Sequence, residues 1–209
     1  MRTGLRFGAL LLALAGCVTV PPQVGDSAPV SKDERQEEAY QKVLARFSGR
    51  DEVYKGFDTI LFATATLQTE AFREARLHRQ AHFKVLPPER VRENLAQEIA
   101  AAAGTHELFL GVYVYDYHYD DFDRPNSIWN VELVTPAGTV RPLSVERVGR
   151  ADMEMRAYYP YTGVFWVGYR LRFPALFSNG ALVIPANAEW VLLRLASTLG
   201  KAELRMQTR

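Results

Sequence analysis

The only cysteine of this 209-residue chain is Cys17, so no disulfide between two of its own residues can brace the fold. Packing alone has to hold it. Enough apolar material is present for that: 48% of the residues are hydrophobic, and a chain of this length buries roughly 70% of the surface that its unfolded form exposes.

The cysteine also closes a recognisable segment. Arg2 and Arg6 give a basic start, and Phe7 to Ala15 (FGALLLALA) is apolar. That run is too short to cross a bilayer core of about 30 Å, which takes about 20 helical residues, and a signal peptide fits it better. Leu14-Ala15-Gly16-Cys17 then resembles the lipobox of bacterial type II signal peptides. The resemblance covers residues 1 to about 20. It implies cleavage before Cys17, a diacylglyceryl thioether on its sulfur and acylation of the new amino terminus. Each buried methylene adds about 0.8 kcal/mol, so two or three chains hold a protein on a membrane effectively permanently. Val18 stands where an aspartate would signal retention in the inner membrane, so the resemblance favours the outer membrane. Loss of Arg2 and Arg6 with the leader takes the formal net charge from +1 to −1, a balance that offers no basic footprint for nucleic acid.

Residues 18–30 (VTVPPQVGDSAPV) lack apolar periodicity and are rich in proline. They read as an extended tether, about 3 Å per residue. Residues 31–209 follow as one folded domain, helix-rich with one strand over 31–105 and β-rich over 106–209. Ser31-Lys32-Asp33-Glu34 has the spacing of a capping box, and Tyr40, Val43, Leu44 and Phe47 then recur at helical spacing, with Gly49 as a stop. Thr59 to Leu67 (TILFATATL) reads as the first strand. Two helices come next, one over about Thr69 to Phe83 and one opening at Pro87-Pro88 with Val91, Leu95 and Ile99 on one stripe. Further strands are expected at Leu108 to Tyr119, Ile128 to Thr135, Thr139 to Val148, Thr162 to Phe173, Ala181 to Ile184, Glu189 to Leu195 and Lys201 to Gln207. Pro136-Ala137-Gly138 and Leu199-Gly200 read as hairpin turns, which makes neighbours antiparallel. Together these predict an α+β, mainly β fold: an antiparallel β-sandwich of immunoglobulin-like shape, with an N-terminal helix and a helical insert on one side or one end.

Four clusters carry candidate chemistry. Asp120, Asp121, Asp123 and Asn126 gather oxygen donors in one loop, as a calcium ion requires; an exposed hairpin connection uses the same residues. On the strand before it, Asp116, His118 and Asp120 alternate at a spacing that could gather around zinc or iron. His78 and His82 with Glu74 could share a helical face, although Arg73, Arg76 and Arg79 on that helix repel a cation. Tyr158, Tyr159 and Tyr161, with Pro160 among them, form an aromatic cluster expected in an exposed loop and suited to a binding surface. A second aromatic stripe, Phe109, Tyr113, Tyr115, Tyr117 and Tyr119, is either a flat platform or the bed on which helices pack.

No GxSxG elbow, phosphate-cradling glycine loop, dinucleotide fingerprint or second cysteine is present. The expectation is therefore a membrane-anchored envelope lipoprotein that binds or scaffolds an envelope protein or a cell-wall glycan. Its rivals are an envelope hydrolase with a distributed site and a calcium-dependent adhesion module.

Overall fold

Residues 28–209 are described by a computed structural model; the expected leader, Cys17 and residues 18–27 of the expected tether lie outside the described residues. The first helix, α1 (Glu34–Phe47), is capped by Asp33, whose carboxylate accepts from the backbone N–H groups of Arg35 and Gln36. Ser31 is not the cap that the Ser-x-x-Glu spacing predicts. Its hydroxyl accepts from Asp33 N, and its own N–H reaches Glu37 at 2.8 Å. An anionic cap also complements the helix dipole, which favours Asp33 for the role.

The chain passes straight from α1 into β1 (Ser48–Lys55), which the spacing of apolar residues had not marked, and turns at Gly56 into β2 (Asp58–Leu67). Thus two strands, not one, precede the helical insert. Gly49 is not the helix stop: it lies inside β1, where a Cβ would sit 2.3 Å from the Arg205 carbonyl oxygen. The missing side chain is what lets two backbones touch. The insert itself is α2 (Glu70–Lys84), capped by the Thr69 hydroxyl, and α3 (Pro88–Ala101), which carries proline in its first turn.

Then come β3 (Thr105–Val114), β4 (Asn130–Thr135), β5 (Gly138–Val140), β6 (Ser144–Arg150), α4 (Met153–Tyr158), β7 (Val167–Pro174), β8 (Trp190–Ser197) and β9 (Gly200–Gln207). Strand β3 ends before Tyr119, because the Asp116 carboxylate accepts from His118 N and winds residues 117–119 into a single 3-10 turn. The stretch expected as one strand, Thr139 to Val148, is two: β5 pairs with β4 and β6 with β7, so the chain changes sheets across Arg141-Pro142-Leu143. Ala181 to Ile184 is reduced to one bridge between Leu176 and Leu182.

All pairings are antiparallel and form two sheets, β1-β2-β3-β7-β6 and β5-β4-β8-β9. The fold is α+β and mainly β. Leu61, Leu108, Leu110, Tyr169 and Leu171 from the first sheet and Leu133, Leu193 and Leu204 from the second are fully buried in one shared core. Each such side chain contributes about 1.5–3 kcal/mol of burial. The first sheet is covered on its other face too: Phe62, Phe109 and Trp166 pack against Tyr40, Leu44 and Phe47 of α1, Phe72 of α2 and Met155 of α4. Helices, sheet and sheet thus make three layers. Alternation along β7 follows from this: Val167, Tyr169, Leu171 and Phe173 enter the inter-sheet core, while Gly168 faces Met155 and Arg170 faces solvent.

Candidate functional site

The tyrosine cluster does not lie in an exposed loop. Tyr158 closes α4 and Tyr159 follows it, and both are more than nine-tenths buried. Their short helix turns them onto the sheet, where Tyr159 stacks on Phe109 with ring centroids 3.7 Å apart, and Tyr40 Oη donates to the Tyr158 carbonyl. Burial raises the hydroxyl pKa of both. Tyr161 is half-buried, its hydroxyl 2.7 Å from Thr66 Oγ1. The other stripe divides: Phe109 and Tyr113 bed the helices, while Tyr115 and Tyr117 are 73% and 76% exposed.

In the acidic loop, the carboxylates face protein donors. Asp120 accepts from Tyr169 Oη at 2.6 Å and is ion-paired with Arg147, and Asp121 accepts from Ser127 Oγ at 3.0 Å and from Ile128 N at 3.3 Å. Asp123 and Asn126 point outward, exposed. His118 is paired with Asp116 at 2.7 Å, His78 lies 3.9 Å from Glu74, and His82 is turned to Ser31. Among the described residues no group of three or more His, Cys, Asp or Glu side chains is arranged to hold a metal ion.

Among the concavities beside the helical layer, two have linings that bear on function. One is a groove of about 680 Å³ across the outer face of α2, walled by α1 and α3. Its apolar lining is Ala39, Val43, Ala75, Leu86, Val91 and Leu95, with Ser31 and His82 at the end where the chain enters. Volume and lining both match the range of ordinary binding sites, about 300–1,000 Å³.

The other is a cleft of about 500 Å³ between α2, α3, α4 and the β3-β7-β6 part of the first sheet. One wall carries part of a chain of ion pairs that no local spacing could announce and that runs on past the cleft to Arg172 and Glu146. Arg76 and Arg73 hold Glu98; Arg73 and Arg172 hold Glu107 at 2.5 and 3.0 Å; Arg172 and Arg170 reach Glu146 at 3.3 and 3.7 Å. Burial by itself raises the Glu107 pKa, but the two arginine hydrogen bonds and charges outweigh it and hold the carboxyl below its ordinary value. The facing wall is Phe109, Met155, Tyr158 and Tyr159. Glu154 is held by Lys84 and Asp152 caps α4. Each lining carboxylate thereby has an arginine, lysine or backbone partner, and burial raises the pKa of the two lining tyrosines.

No protein-family model, no curated protein and no solved structure matches the chain.

Proposed function

We propose that this chain is a lipid-anchored protein of the bacterial envelope, held on the outer membrane through Cys17, and that its body binds another envelope protein by taking an apolar segment of it into the groove over α2. The observation that carries the reading is the groove itself. An amphipathic helix laid into it would bury its apolar stripe against Val43, Ala75, Val91 and Leu95 in the helix-in-groove mode. Val85, at 88% exposure, and Ile99, at 40%, extend the apolar surface beyond the groove. The engagement of the cleft carboxylates by arginine, lysine or backbone supports a binding role over a hydrolytic one.

A photo-crosslinking side chain at His78 of the full-length protein in living cells tests this. The expected result is one discrete envelope-protein adduct, lost in Ala75→Glu and absent when the crosslinker is moved to Leu143 on the far surface. Crosslinks indistinguishable between the two positions would overturn it. Cys17→Ser should in parallel abolish lipid labelling and membrane fractionation.

A further inference from the structure

The cleft between α2, α4 and the sheet is lined by four arginines, Arg73, Arg76, Arg150 and Arg170, and by four carboxylates, Glu98, Glu107, Asp152 and Glu154. Glu98 and Glu107 are shared among Arg73, Arg76 and Arg172, Glu154 belongs to Lys84, and Asp152 caps Met155 N. Arg170 has only a distant partner, Glu146 at 3.7 Å. Arg150, exposed on the rim, has no ion pair among the described residues. Deeper in, Arg76 Nε is buried with no hydrogen-bond acceptor among the described residues, and a buried donor left without an acceptor is unfavourable. The β6-β7 register shifts between Arg147 and Gly149, shortly before Arg150, and Gly149 has φ +125°. A bulge of this kind re-aims side chains and recurs beside binding sites.

We propose that this cleft is a binding site for a small ligand carrying an oxyanion on a compact apolar body, with Arg150 as its principal charge contact. A planar guanidinium presents paired donors that match a carboxylate or a phosphate, and Met155 and Phe109 line the cleft for the apolar part. The volume of about 500 Å³ suits a ligand of one ring and a short chain. Because the site is separate from the groove over α2, it stands or falls independently of the envelope-protein reading.

Benzoate, phenyl phosphate, inorganic phosphate and benzyl alcohol, each titrated into the full chain, test the inference by calorimetry and by the Met155 methyl resonance. Saturable binding of benzoate or phenyl phosphate is expected, with movement of that methyl, at least tenfold weaker in Arg150→Gln and unchanged in Arg141→Gln. Benzyl alcohol should not bind. The stronger of the two aromatic anions tells carboxylate from phosphate as the source of the oxyanion. Arg150 is exposed and has no ion pair among the described residues, so its substitution leaves folding intact. Absence of saturable binding at millimolar ligand would overturn the inference, as would binding indifferent to Arg150→Gln, or inorganic phosphate bound as tightly as the aromatic anions.

Discussion

The buried Arg79 of α2 forms an ion pair with the half-buried Glu37 of α1, with Nη1 2.6 Å from Oε2, at the point where the chain enters the folded body. The same guanidinium donates through Nε to the Ala157 carbonyl at 2.6 Å and through Nη2 to the Pro29 carbonyl at 3.0 Å, and lies 4.4 Å from the Tyr40 ring centre. One side chain thus ties α1, α2, α4 and the incoming chain together. Breaking such a pair strands a buried charge, at a cost of about 3–5 kcal/mol. Glu37→Met, which strands the Arg79 charge, should lose up to that much in urea denaturation, and Arg79→Met should also be destabilised. The double variant should lose less than the sum of the two; strict additivity would show that the pair is not coupled.

Stability should fall with acid in two stages. His106 Nε2 is buried without a partner among the described residues, and burial lowers its pKa below 6.5. Below about 6.5 the unfolded chain therefore takes up this proton before the folded one does, and stability drops as pH falls. The second stage belongs to Glu37 and Glu107. Burial raises both, but hydrogen bonds from Arg79, Gln41 and Ser31 to the first, and from Arg73 and Arg172 to the second, leave them below 4.5. Their contribution is present above about 4.5 and is lost as pH falls through the folded-state values. Chemical denaturation across pH 3 to 8 checks this, and His106→Gln should remove the first stage while sparing the second.

The acidic loop should depend on Tyr169 more than on calcium. Tyr169 is fully buried at its ring and donates to Asp120, which Arg147 also holds. A hydrogen bond to a charged acceptor contributes about 1.5–3 kcal/mol, so Tyr169→Phe should lower stability by that amount. Millimolar calcium is expected to leave the Tm of the parent protein unchanged. A rise worth about 2.7 kcal/mol at a hundredfold excess over Kd would instead establish a calcium site.

What could be read from residue order alone was local. The TILFATATL run, the Thr69 and Pro88 helix starts, the alternation from Val167 to Phe173 and the turns at Pro136-Ala137-Gly138 and Leu199-Gly200 all record contacts between near neighbours, and all appear in the structure. Strand β1 escaped because Ser-Gly-Arg-Asp-Glu-Val-Tyr-Lys carries little apolar alternation; it is a strand by virtue of pairing with β2 and lying beside β9. Helix α4 is only six residues long, too short for periodicity to show.

The sequence by itself determined the α+β, mainly β class and most of its elements, because hydrophobic period and turn chemistry act within a few residues. Tertiary structure decided which way those elements face. It turned Tyr158 and Tyr159 inward, sent Asp120 and Asp121 to Arg147, Tyr169 and Ser127, and gathered Arg73, Glu98, Glu107 and Arg172 from four elements into one ion-pair network. Side-chain partners separated by tens of residues are chosen by the packing of layers, where burial and charge pairing are settled together, and no local pattern encodes that choice.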